Sequence, residues 1–205
     1  MRYLHFILLI TVVFLQMGRA MAIEEAKYSV VVKDDNIEVR EYSPYVLAET
    51  LVEGDLEEAG NKAFNKLFQY ISGNNKSRDK LAMTAPVSQE SAGEKIDMTA
   101  PVGQKKQGEQ WAVSFMMPAS YTLETLPQPV DPAVTLREVP ARRLAAIRYS
   151  GFWSKEGFLQ NKAELVAWLE AKEYRPVGEA IWARYNAPYT LWFLRRNEVL
   201  IPIED

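Results

Sequence analysis

The chain has 205 residues, with 24 lysines and arginines against 27 acidic residues and a formal charge of −3, so it offers nucleic acid no electrostatic footprint. Its 48 % hydrophobic residues, including 5 Trp, and its 10 Tyr can fill a packed core, which argues against disorder and, at this length, for a single domain. Cysteine is absent and the one histidine is His5, so zinc sites of the usual kind, Ser-His or Cys-His nucleophiles and histidine acid–base catalysis are closed to the rest of the chain.

Met1 and Arg2 precede an apolar stretch from Tyr3 to Leu15, and small residues end it at Ala20-Met21-Ala22, the layout of a secretory signal peptide over residues 1–22. The apolar run falls short of the roughly 20 residues a membrane-spanning helix needs, and no cysteine follows it to carry a lipid. The expectation is therefore a cleaved leader and an exported domain over residues 23–205 with no stable membrane anchor. The short, weakly basic start suits a bacterial periplasm.

Tyr28 to Val32 and Ile37 to Tyr42 read as strands around the turn Asp34-Asp35-Asn36, and Tyr45 to Glu53 alternates as a third. Asp55 offers an N-cap with Glu58 three residues on, as in a capping box. Apolar residues then recur at Leu56, Ala59, Ala63, Phe64, Leu67, Phe68 and Ile71, predicting an amphipathic helix that ends at Gly73. Lys80-Leu-Ala-Met-Thr-Ala-Pro-Val87 and Lys95-Ile-Asp-Met-Thr-Ala-Pro-Val102 form a repeat around Ser91-Ala92-Gly93, expected to be the arms of a hairpin. Gln110 to Met117 puts Trp111, Val113, Phe115 and Met117 on one face of a strand. The proline-rich stretch Pro118 to Pro132 is a connecting loop.

Val134 to Glu138 and Arg142 to Tyr149 again look like paired strands, followed by a helix that Ser154 caps, with Trp153 and Phe158 placed as a hydrophobic staple and Pro176 beyond its end. Ile181 to Tyr185 and Tyr189 to Ile203 supply the closing strands, the latter broken at Arg195-Arg196-Asn197-Glu198. An offset of 97 sets Val39-Arg40-Glu41 against Leu136-Arg137-Glu138, Leu47-Ala48 against Leu144-Ala145 and Gly54 against Gly151. Four more residues of offset set Phe64, Leu67 and Phe68 against Leu165, Trp168 and Leu169. This is an internal duplication whose halves cannot cover their sheets alone. The expected fold is α+β: two half-domains sharing one closed or nearly closed antiparallel sheet, with two helices outside.

The paired Met-Thr-Ala-Pro-Val segments, the opening Ile37-Glu-Val-Arg-Glu-Tyr42 and the terminal Arg195-Arg-Asn-Glu-Val199 resemble the SOUL heme-binding protein family across nearly all of residues 23–205. The resemblance implies a distorted eight-stranded β-barrel with two helices, and binding of heme or a related porphyrin beside the first helix, by a binder and not an enzyme. It places the ligand against Phe64, Phe68 and Ile71, with Lys62 and Lys66 in reach of propionates and Tyr70 as a candidate oxygen donor. With no histidine after His5, heme would be held without an imidazole axial ligand, leaving Met (Met83, Met98, Met116, Met117), Tyr, Lys or water. An enzyme acting on the tetrapyrrole would need an acid or base such as Glu179 or Tyr185 in the groove. Gly151-Phe152-Trp153, Trp168-Leu169, Tyr174-Arg-Pro-Val-Gly178 and Tyr185-Asn-Ala-Pro188 are also similar to gyrase-inhibitor-like effector-binding domains. That resemblance implies the alternative of a module for another hydrophobic small molecule; a third possibility is an interaction protein that keeps the fold without a ligand.

Overall fold

The computed structural model describes residues 23–78 and 93–205. The expected signal peptide, residues 1–22, and the first copy of the repeat, Lys80 to Val87, lie outside the described residues.

Strands β1 (Tyr28–Asp34) and β2 (Ile37–Tyr42) form the first hairpin, turning at Asp35 with φ 52°, a left-handed position that aspartate tolerates. Strand β3 (Tyr45–Val52) leads to helix α1 (Leu56–Ile71). The Asp55 carboxylate accepts the Glu57 and Glu58 N–H groups at 3.0 and 2.8 Å, satisfying two of the helix's free donors. The Glu58 side chain turns to Lys62, 2.7 Å away and one turn on, rather than completing a capping box. Leu56 packs with the second helix's cluster, whereas Ala59, Ala63, Leu67, Tyr70 and Ile71 form the buried stripe of α1 over Ala48, Val52, Val113, Phe115 and Val134.

The second half repeats this layout with β8 (Val134–Val139), β9 (Arg142–Tyr149) and α2 (Lys155–Ala171), after the short β4 (Asn75–Lys76) and β7 (Gln128–Pro129), which pair only with each other. Ser154 caps α2 through the Gly157 N–H at 3.1 Å, and Trp153 joins Phe158 in one apolar cluster, as the staple requires. The buried residues of α2, Phe158, Leu165 and Leu169, match Leu56, Ala63 and Leu67 of α1. The true helix register is thus one residue beyond the one expected from sequence, and it takes Phe64 and Phe68 off the core stripe.

The remaining strands are β5 (Val102–Gln107), β6 (Gln110–Met116), β10 (Ile181–Arg184) and β11 (Asn197–Pro202). The large sheet runs β1-β2-β9-β11-β10-β5-β6-β3-β8. Without β1 the order reads alike from both ends when the halves are exchanged, so a pseudo-twofold axis passes between the paired β10 and β5. The duplicated α+β architecture with two helices on one face of a curled, barrel-like antiparallel sheet is present. Among the described residues it has nine strands rather than eight, because β1 adds an edge, and β1 and β8 do not pair to close it.

Three local expectations are corrected. Strands β8 and β9 do not pair with each other: β9 lies between β2 and β11, and β8 lies on β3, so each half donates one strand to the other. The described copy of the repeat is not a hairpin arm, because Lys95 to Pro101 runs outside the strands. There the Ile96 N–H bonds Ile71 O, the Ala100 N–H bonds Glu24 O and the Thr99 hydroxyl bonds Met116 O, while Pro101 has no N–H to give a ladder. Tyr189 to Leu194 is not a strand either. The Arg195 guanidinium donates to the Thr190 and Pro188 carbonyls at 2.8 and 2.7 Å and curls the chain into a loop, with a 3-10 turn at Trp192–Leu194.

On the helix-free face a charged node ties the sheet together. Glu198, fully buried, receives two bonds from Arg40 on β2 (2.7 and 3.0 Å), one from Arg196 (3.0 Å) and one from the Tyr185 hydroxyl (2.8 Å). Burial and the Glu198 charge push the Tyr185 hydroxyl well above its ordinary pKa, so it stays a donor. Glu198→Gln would leave two guanidiniums without their shared carboxylate in this low-dielectric site. We expect it to cost about 3–5 kcal/mol of unfolding free energy, measured by urea denaturation, whereas Lys62→Ala at the exposed Glu58 pair should cost less than about 0.5 kcal/mol.

Candidate functional site

Residues two positions apart face one way along a strand, but on a helix three stripes can coexist, and α1 carries three. Its core stripe faces the sheet and Lys62 faces solvent. The third stripe, Gly60, Asn61, Phe64 and Asn65, borders a cavity of about 470 Å³. Across from it stand the extended segment Met98 to Ala100, Val102, Trp153 and the turn from Arg184 to Tyr189. The walls are mostly apolar, and the volume falls in the range of small-molecule sites.

The far wall is held firmly. The Trp153 indole N–H donates to Asn197 Oδ1 at 3.0 Å, and its ring centroid is 4.5 Å from the guanidinium of Arg195 and 5.4 Å from that of Arg184. The Asn186 side-chain oxygen accepts the Arg196 N–H at 2.6 Å, and the two Arg195 bonds fix Pro188 and Thr190. A wall whose polar groups are this well occupied needs little ordering when a ligand arrives.

Arg184, the last residue of β10, brings the one guanidinium among the described lining residues. It packs over Trp182 at 5.1 Å, and Gln104 Oε1 accepts from it at 3.4 Å while Gln104 Nε2 donates to the Leu56 carbonyl at 2.6 Å. Its Nε is shielded from solvent with no hydrogen-bond partner. Burial pushes its pKa down to about 10, only weakly opposed by the Tyr149 hydroxyl. A side chain at Gly60 would collide with this arrangement: its Cβ would sit 2.9 Å from Arg184 Nη2 and 3.0 Å from Gln104 Oε1. A glycine inside a helix costs about 1 kcal/mol relative to alanine, so this one marks a close approach.

Of the residues expected at the site, Phe64 lines the cavity, held edge-on to Phe115 at 5.3 Å and stacked on Phe68 at 5.8 Å. Phe68 is 46 % exposed and forms a shoulder beyond the cavity. Ile71 and Tyr70 lie in the core instead, at 3 % and 2 % exposure, and the Tyr70 hydroxyl donates to Pro127 O at 2.9 Å. Burial raises that hydroxyl's pKa, and Tyr70 is not among the lining residues. Lys62 is paired to Glu58, and Lys66, like it, is not among the lining residues. Met98 is at the cavity wall, whereas Met116 and Met117 are buried core; Met83 lies outside the described residues. Tyr185 lines the cavity with its hydroxyl committed to Glu198, and Glu179 is exposed outside it. Sequence reasoning missed Arg184, Trp153 and Met98 as one wall. The available signal was Gly60, an unexplained glycine within a helical pattern.

A sequence profile of SOUL heme-binding proteins matches residues 23–202. The chain belongs to the SOUL heme-binding protein family. No curated protein sequence matches it significantly. Among solved structures, a hydrolase from Listeria innocua is similar with a TM-score of 0.56, covering 85 % of this chain and 94 % of its own at 14 % identity. The EcmrR C-terminal domain gives 0.51, covering 87 % and 98 % at 12 % identity. EcmrR in a DNA complex gives 0.57, covering 100 % of this chain and 64 % of the other at 12 % identity. At such identities these likenesses speak for the fold alone.

The cavity of this SOUL family member separates wall from core along one helix, which thermal melting can read. Phe68→Glu should leave the melting temperature within a few degrees of wild type, because the new charge stays hydrated. Ile71→Glu, with no partner for a buried carboxylate, should lose several kcal/mol and unfold much of the population.

Proposed function

We propose that the protein is an exported binder and carrier of heme or a related tetrapyrrole, seated in the groove between α1 and the turn from Arg184 to Tyr189. The observation that carries this reading is the coincidence, in a member of a heme-binding family, of an apolar cavity of about 470 Å³ with a half-buried guanidinium, that of Arg184, in its wall. A porphyrin is a flat apolar disc bearing carboxylates, and those two features answer its two parts.

The residues fit the ring better than they fit its iron. Phe64, Ala100, Val102 and Trp153 supply faces and edges for the macrocycle and exclude water from it. The donors beside the cavity are the Met98 thioether and the Tyr189 hydroxyl, since no imidazole or thiol occurs in residues 23–205. Bound heme would supply a chromophore and an iron centre. The described lining is mostly apolar, which suits holding and releasing the ligand.

Titration with hemin should shift and sharpen the Soret band without a spectrum of bis-imidazole ligation, and Phe64→Glu should abolish the shift while the protein stays folded. An unchanged spectrum on adding hemin to the wild type would refute the reading, and a folded Phe64→Glu variant of unaltered affinity would move the site elsewhere. The export part rests on the layout of residues 1–22, and N-terminal sequencing of protein recovered from the exporting cell should begin at Ile23. A retained Met1 in a membrane fraction would contradict it.

A further inference from the structure

We infer that Arg184 is the anchor for a ligand carboxylate, so that the groove takes an apolar carboxylic acid with its acid group pointing inward and discriminates against the corresponding ester. This deepens the tetrapyrrole reading and rests on the same groove, but it concerns which chemical group the groove recognises.

Three other arginines show what Arg184 lacks, while Arg142 and Arg195, which also meet no carboxylate, have their guanidiniums engaged at 2.8 Å or less by the Tyr45 hydroxyl and by the Thr190 and Pro188 carbonyls. Arg40 holds Glu198 through two bonds, Arg137 holds Glu49 at 3.0 and 2.8 Å, and Arg196 holds both Glu198 and Glu25. Arg184 has no carboxylate partner among the described residues. It has one long bond to an amide oxygen at 3.4 Å and two indole faces, those of Trp153 and Trp182. Indole faces steady a guanidinium and fix its plane, but they leave the positive charge unneutralised and most of its five donors free. A half-buried cation whose Nε is shielded and which meets no counter-ion among the described residues is a cost to the folded state, which a bound carboxylate would offset.

The surroundings are arranged around that charge. Gly60 gives up helix stability where the guanidinium approaches α1, and Gln104, itself fully buried, has its amide N–H engaged by Leu56 O so that its oxygen faces Arg184. Phe64, Met98, Ala100, Val102 and Tyr189 lie around the same cavity. A small inorganic anion would use the cation and waste these walls, whereas an apolar acid uses both. Two sources share this chemistry, the propionates of a tetrapyrrole and the head of a fatty acid.

The experiment compares protoporphyrin IX, its dimethyl ester and oleate as ligands by fluorescence titration, for wild type, Arg184→Met and Phe64→Glu, with a thermal melt of each protein. Wild type should prefer the diacid over the diester by about tenfold or more. Arg184→Met should lose that preference by weakening diacid binding alone, with an unchanged or raised melting temperature, because a half-buried charge without a carboxylate partner has been removed. Equal wild-type affinity for diacid and diester overturns the inference, and this holds whether or not the variant folds. A lowered melt with the preference intact in Arg184→Met also overturns it, assigning Arg184 to structure. If Phe64→Glu blocks porphyrin but the ester binds as well as the acid, the groove reading stands and only the anchor fails. If oleate binds in an Arg184-dependent manner and porphyrin does not, the anchor stands and the tetrapyrrole reading fails.

Discussion

Everything in this fold hangs on an exchange of strands. The first half's β2 completes the hydrogen bonds of β9 in the second half, and the second half's β8 completes those of β3 in the first. Every backbone N–H and C=O taken from water needs a partner, so a half-domain alone would expose the flanks of β3 and β9, two strands among whose residues Ala48, Ala145 and Ile147 are fully buried. The exchange makes the two halves one cooperative unit. It also sets β10 against β5 on the pseudo-twofold axis, which fixes where a side chain at the end of β10 can point.

From that arrangement the charged node and the groove come out as neighbours. Glu198 and Asn197 are consecutive on β11. Glu198 holds Arg40, Arg196 and Tyr185 on the helix-free face, while Asn197 takes the Trp153 indole toward the helices. Alternation along one strand thus ties the sheet's buried ion cluster to the groove wall. Tyr185 has its ring beside the cavity and its hydroxyl in the node, and so belongs to both.

The buried charges differ in purpose according to their partners. Where a guanidinium meets a carboxylate at under 3 Å, as for Arg40 and Glu198, desolvation is balanced within the protein and the pair specifies register. Arg184 is left with amide oxygen and aromatic faces, a weaker compensation that leaves it responsive to an incoming anion. The duplication does not make the halves equivalent here. Gly60 opens α1 to Arg184, whereas at the corresponding position of α2, by the match of buried faces, stands Lys162.

The sequence by itself determined the local elements, because they rest on periodicity and end signals. Ile37–Tyr42, Arg142–Tyr149, the Asp55 and Ser154 caps and the spans of both long helices could be read from alternation, 3.6-residue spacing and capping chemistry, and the offset of 97 exposed the duplication. The family motifs pointed to a ligand beside α1, and Phe64 is there. Only the tertiary structure decided which strands exchange partners, since β8 and β9 carry the same local pattern whether they pair with each other or across the halves. Only it showed that Lys95 to Pro101 spends its polar groups on Ile71, Glu24 and Met116 outside any sheet, and that α1 presents Tyr70 and Ile71 to the core but Phe64 to the cavity. Arg184 was invisible in sequence for the same physical reason. A half-buried cation without a counter-ion is defined by which carboxylates are not near it, and that is a property of packing, which no linear pattern records.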